Sequence, residues 1–240
     1  MKNFRKLVAG VLCLSTGVIG FQSCIKDQPT SLTAISDVLV QDIKTDAGVK
    51  YAIVVYASAD FDIKSAKVTA PGTGGKEYQL TATANQQQFV YYPQAADYTT
   101  DFPVTGNYSI EVISSKYVKL TGTDAVGSEK LTPIVIKTAT MTSQKLKTTW
   151  DLITGADAYV VKLYSANKAE LIYSSNYLAT DLKEYEFGSS SAGWAYGVSP
   201  VVNTNYVVEL LGVKVETGAL TDKANNIQFV SVDSKTIKWE

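Results

Sequence analysis

The chain has 240 residues, 45% of them hydrophobic and 19% charged, which is enough apolar material for a sizeable core and excludes disorder along its whole length. Its formal net charge is −1 and it carries no strongly basic segment beyond the first few residues, which argues against nucleic-acid binding through a phosphate-neutralising patch. It contains no histidine, which removes Ser-His-Asp and Cys-His catalysis together with every His-ligated zinc, copper or iron site.

Lys2, Arg5 and Lys6 precede an apolar run from Leu7 to Phe21. That run is short for a membrane span of about 20 residues and suits the apolar region of a secretory signal. Cleavage before Cys24 leaves 240 − 23 = 217 residues and removes three basic groups, so the balance becomes 19 basic against 23 acidic, or −4. Only two cysteines are present, Cys13 and Cys24. Cys13 leaves with the signal, and a lipidated Cys24 leaves no free thiol in an exported protein.

The residues Phe21-Gln22-Ser23-Cys24 resemble a lipobox, in the Phe-x-Ser-Cys form of Bacteroidales-type lipoproteins. The resemblance covers residues 1–24 and departs from the commoner pattern by placing Phe where Leu is usual. It implies acylation of Cys24, attachment to the outer membrane, and a periplasmic or cell-surface position. Residues 24–31, with Lys26, Asp27 and Pro29, read as a short tether.

Beyond the tether the pattern is period two, with Val, Thr, Tyr and Ile in short runs broken by Gly, Pro, Asn, Asp and Ser, which predicts an all-β sandwich protein. A first module spans 32–121. Strands are expected at Ile35–Val40, Tyr51–Ala57, Ile63–Ala70, Tyr78–Thr83, Phe89–Tyr92, Tyr108–Val112 and Tyr117–Leu120. Tyr51–Ala57 is apolar on both faces and reads as a central strand. Residues 122–131 are polar and glycine-containing and read as a linker; a second module follows over 132–240.

In that second module Trp150, Gly155-Ala156-x-x-Tyr159-x-Val161 and Thr204-x-Tyr206-x-Val208-x-Leu210 stand in order. They resemble a fibronectin type III domain over much of the second module, and the resemblance implies that these side chains form a core with no catalytic role. A loose echo of Lys145–Asp151 at Lys235–Glu240, each with an Ile-bearing run upstream, is expected to form two similar hairpins, the second at the C-terminus.

Three short motifs invite chemistry and fail. Ala70-Pro71-Gly72-Thr73-Gly74-Gly75-Lys76-Glu77 lacks the first glycine of a phosphate loop and places a carboxylate where the magnesium-binding hydroxyl belongs, so it is read as a hairpin turn. Ser165-Ala166-Asn167-Lys168 has the Ser-x-x-Lys spacing, but it follows a strand instead of opening a helix, and no Lys-Thr-Gly partner exists. Asp60-Phe61-Asp62 lacks the further spaced oxygens of a calcium loop.

Exposed aromatics are the better lead, because rings held to solvent stack on sugars or anchor protein contacts. Candidates are Trp194 and Tyr196 in a Ser- and Gly-rich loop, and Tyr91, Tyr92 and Tyr98 beside the long loop from Pro93 to Val104. Trp194 is expected to plug the sandwich and Tyr196 to stand exposed. The resulting expectation is two immunoglobulin-like or fibronectin type III-like sandwiches in tandem after a lipidated tether, with no cofactor and no metal. The leading role is non-catalytic capture of a glycan or surface macromolecule. An adhesin- or pilus-like structural subunit is the second reading, and a carboxylate-dependent hydrolase the third.

Overall fold

The computed structural model describes residues 32–217 and 226–240; the expected signal, tether and acylated Cys24 lie outside them. The described chain is built from strands: β1 (Ala34–Thr45), β2 (Gly48–Ala59), β3 (Ile63–Thr69), β4 (Glu77–Ala82), β5 (Gln88–Tyr91), β6 (Gly106–Ser114), β7 (Lys119–Val126), β8 (Ile136–Thr142), β9 (Lys145–Trp150), β10 (Ala158–Ser165), β11 (Leu171–Ser174), β12 (Glu184–Gly188), β13 (Asn205–Val215) and β14 (Ile227–Lys238). A single turn of 3₁₀ helix, Ala95–Asp97, is the one helical piece among the described residues.

Alternation sets the layers, because successive side chains of a strand face opposite ways. In β1, Val38 and Val40 enter the first core; with them pack Ile53 and Val55 of β2, Val68 of β3, Tyr78 and Leu80 of β4, and Tyr108, Ile110 and Val112 of β6. In the second core, Leu146 and Trp150 of β9 and Phe187 of β12 meet Tyr159, Val161 and Leu163 of β10, Val208 and Leu210 of β13, and Trp239. Both are β-sandwich cores. The fibronectin-like positions Trp150, Tyr159, Val161, Tyr206, Val208 and Leu210 are all buried there.

One strand order runs β11-β10-β13-β14-β1-β2-β5-β4-β3-β6-β7, and β12-β9-β8 forms a separate sheet. The two cores are joined through β14, which pairs antiparallel with β13 and parallel with β1, Val40 opposite Phe229. One face of β14 is informative. Phe229 belongs to the first core, while Ile237 and Trp239 close the second. Between them Ser231 Oγ accepts the Ile134 N–H at 2.9 Å, and Asp233 Oδ2 accepts the Ile136 N–H at 2.7 Å. The chain thus crosses β14 on polar side chains that satisfy its backbone donors. On the other face Leu39, Val54, Val230 and Val232 pack together, and Ala158, Val160, Val213 and Val215 form a patch that shares Leu211 and Ile227 with them.

Two expectations are corrected. Residues 122–131 are not linker throughout, since β7 runs to Val126 and pairs with β6 over its whole length; the alternating ladder overrides Gly122. The C-terminal segment is no hairpin. Ile227–Lys238 is one twelve-residue strand, because β13 pairs with it from end to end and β1 with Phe229 to Val232, whereas β8 and β9 do form a hairpin. Ser143 and Gln144 take positive φ in that tight turn.

Candidate functional site

The first module has a cleft of about 400 Å³ walled by aromatic rings. Its floor is β2, from Tyr51 to Ile53, with Tyr108 of β6; its sides are the β3–β4 turn, Tyr78, Tyr91 and the loop from Asp97 to Val104.

The turn from Ala70 to Lys76 is fixed by its glycines. The Ala70 N–H donates to the Lys76 carbonyl at 2.9 Å, and Gly72 and Gly74 have φ of +98° and +73°. A Cβ on Gly75 would lie 2.0 Å from the Ala70 carbonyl oxygen, so only glycine allows this closure. The stretch that resembled a phosphate loop is a hairpin turn, as its residues predict.

The opposite wall is held by a two-way backbone pair, with Tyr51 N–H on the Thr99 carbonyl at 2.8 Å and Thr99 N–H on the Tyr51 carbonyl at 3.0 Å. The Tyr108 hydroxyl donates to the Val104 carbonyl at 2.8 Å and closes the far end. Tyr51 meets Phe102 edge-on at 5.2 Å, and Tyr78 meets Tyr91 edge-on at 5.1 Å. These are favourable ring geometries that fix the wall without flattening it.

A charged pair stands at the mouth. Lys76 Nζ lies 3.3 Å from Asp97 Oδ1 and 5.0 Å from the centre of the Tyr78 ring. Asp97 Oδ2 accepts the Gln94 N–H at 2.9 Å, which ties it to the first turn of the 3₁₀ helix. That bond, the Tyr91 hydroxyl and Lys76 hold the Asp97 carboxyl below the usual range, so it stays ionised at neutral pH. Burial, reinforced by Asp97, pushes the Tyr91 hydroxyl up to about 12, so it remains a neutral donor. The site therefore offers flat rings, a fixed carboxylate acceptor and an ammonium donor. Asp97 in this state is no proton donor for a general-acid step.

The five aromatic candidates are not gathered into one place. Tyr91 lines the cleft. Tyr92, next in sequence, points to the other side of the sheet, where it meets Tyr56 edge-on at 5.7 Å and is 55% exposed. Tyr98 is partly buried and its hydroxyl accepts from Gln41 Nε2 at 2.7 Å. Trp194 lies in the second module and packs on Tyr173 at 5.0 Å and Trp239 at 5.6 Å, while its Nε1 donates to the Gly188 carbonyl at 3.1 Å. It wedges against the second core, and Tyr196 beside it is fully exposed.

Tyr51, Tyr78, Phe102, Lys76 and Asp97 escaped sequence reasoning. Their strand alternation is that of ordinary core or surface residues, and only the pairing of β2 with the long loop brings them together. The rejected motifs stay rejected. Lys168 has a φ of +57° in the β10–β11 turn and pairs with Glu209 at 2.8 Å, while Ser165 Oγ bonds Asn167 at 2.8 Å. Asp60 caps the Thr33 N–H at 2.9 Å and acts as a turn residue.

No known protein family matches the chain, and no curated protein does. Among solved structures it is similar to a two fibronectin type-III domain segment from chicken tenascin, at 13% identity and a TM-score of 0.30, over 77% of this chain and 91% of that one. It is also similar to the FN1–FN3 domains of chicken CNTN1, at 12% identity and a TM-score of 0.30, over 85% of this chain and 66% of that one.

Proposed function

We propose that this is a non-catalytic binding lipoprotein of the cell envelope, anchored through Cys24, which takes the sugar face of a glycan into the cleft of Tyr51, Tyr78, Tyr91 and Phe102. The cleft carries the reading. Its rings suit the apolar faces of pyranose units, and the Lys76–Asp97 pair at the mouth supplies a donor and an acceptor for their hydroxyls. A general-acid role for Asp97 is disfavoured, because three partners hold its carboxylate ionised.

Titration calorimetry with a panel of neutral hexose and pentose oligosaccharides tests the site. Phe102→Ala is expected to weaken the best binder about tenfold or more, the loss of roughly 1.4 kcal/mol of ring contact. Phe102 is only partly buried, so the variant should keep most of its stability. Unchanged affinity in a folded Phe102→Ala protein would remove the cleft as the site, and reducing ends released from the panel would bring back the hydrolase reading.

The anchor is tested separately. Cys24→Ala is expected to abolish metabolic labelling with a fatty-acid probe and to move the protein from the membrane to the soluble fraction, since several acyl chains hold stably where one holds only marginally. Continued labelling of Cys24→Ala would show that the anchor lies elsewhere.

A further inference from the structure

Three carboxylates from distant parts of the chain converge where the two modules meet. Asp37 is on β1, Asp124 on β7, and Glu216 directly follows β13. One oxygen from each lies within 4.8 Å of the others. Asp37 is 1% exposed; its Oδ2 accepts the Ile227 N–H at 3.2 Å, but its Oδ1 is buried and has no hydrogen-bond partner. Asp124 accepts the Val38 N–H on Oδ2 and the Ala125 N–H on Oδ1, so its carboxylate is pinned in place. No lysine or arginine among the described residues forms an ion pair with any of the three, and the nearest in sequence to Glu216, Lys214, is taken by Asp157 at 3.3 Å.

A buried, unpaired carboxylate oxygen is costly, and two further carboxylates beside it make it more so. A cation removes the same cost and satisfies the empty lone pairs.

The donor set is all oxygen, which selects a hard divalent ion over zinc or copper. Three carboxylate oxygens within 4.8 Å of one another can share one such ion. Calcium takes carboxylates in a flexible geometry, whereas magnesium demands a near-ideal octahedron and keeps most of its waters, so carboxylates held in place by the fold suit calcium better. An open cleft lined by Asn107, Asp124, Glu216 and Gln228 reaches two of the three carboxylates from solvent and has room for waters in the ion's shell.

We propose that Asp37, Asp124 and Glu216 bind one calcium ion. The ion ties β1 to β7 and to the end of β13, and so fastens the first module to the strand that opens the β13–β14 connection.

The test uses the full chain, stripped with EGTA and titrated with CaCl₂ while heat of binding and thermal unfolding are followed. Expected are one site per chain and a Tm several degrees higher at millimolar calcium, with MgCl₂ at the same concentration giving a clearly smaller rise. Glu216→Gln is the variant of choice, because the Glu216 side chain accepts no backbone hydrogen bond. It should unfold in EGTA at or above the wild-type temperature, having lost one repelling charge, and should show no calcium-dependent rise. The proposal is overturned if the wild-type chain gives neither heat nor a Tm change with calcium, if magnesium acts equally well, or if Glu216→Gln keeps the full calcium response. Calorimetry on the wild-type chain decides the matter even where the variant folds poorly.

Discussion

Trp150→Ala is expected to lower the unfolding free energy by about 3–5 kcal/mol, the cost of taking a large aromatic from a packed core. Trp150 ends β9, is 2% exposed, and lies 5.5 Å from the Tyr159 ring. Chemical denaturation followed by circular dichroism measures the loss. A second variant separates packing from polarity. The Trp150 Nε1 is buried without a hydrogen-bond partner, so the native residue already carries the cost of an unmade bond. Trp150→Phe gives up part of the apolar area but removes that donor, and should cost well under half of the alanine change. Equal losses in the two variants would show that the indole itself, and not apolar ring volume, sets the stability; no loss in either would mean that the β9 register is wrong.

Trp150 also shows why so much of this fold is legible in the sequence. Its neighbours in the core, Tyr159, Val161, Val208 and Leu210, sit at alternate positions of strands whose period can be read directly. The same holds for Tyr51–Ala57, apolar on both faces and paired on both edges, to β1 and β5. Short strands were missed for their length: β11 has four residues and β12 five, and although Glu184-Tyr185-Glu186-Phe187 alternates, with Phe187 stacked on Tyr173 at 3.9 Å, so few residues give too little of the pattern to read.

Long-range pairing was beyond the sequence for a different reason. The parallel match of β1 with β14 joins segments nearly the whole chain apart, and no local turn chemistry specifies it. The ring-lined cleft and the carboxylate cluster both depend on such pairings. Tyr91 was legible as an aromatic beside a long loop, but its partners Tyr51 and Phe102 become a wall only once Thr99 pairs with Tyr51. Tyr196 is exposed as expected, whereas Trp194, expected as a plug, is only partly buried against the second core, because a loop of serines and glycines has no apolar side chains of its own with which to cover it.

The junction between the modules should make stability depend on pH through Asp42. This residue is 1% exposed on β1, where Ser231 donates its hydroxyl to Oδ1 at 2.6 Å and Oδ2 is buried without a partner. Ser231 in turn accepts the Ile134 N–H, so the group sits on the polar crossing between the two cores. Burial, only partly offset by Ser231, raises the Asp42 pKa from 3.8 to about 6. The sign follows from linkage. The folded chain holds the proton more tightly than the unfolded chain, so this contribution is fully present below about pH 4 and is lost as pH rises through about 6. Two units correspond to about 3 kcal/mol. Asp42→Asn keeps an acceptor for the Ser231 hydroxyl and cannot ionise. Urea unfolding in EGTA at pH 4.5 and 7.5 should therefore show wild type losing about 2 kcal/mol more than the variant over that interval, while other acids cancel in the difference. Parallel pH profiles for the two proteins would mean that Asp42 is solvated and that the crossing at β14 is open to water.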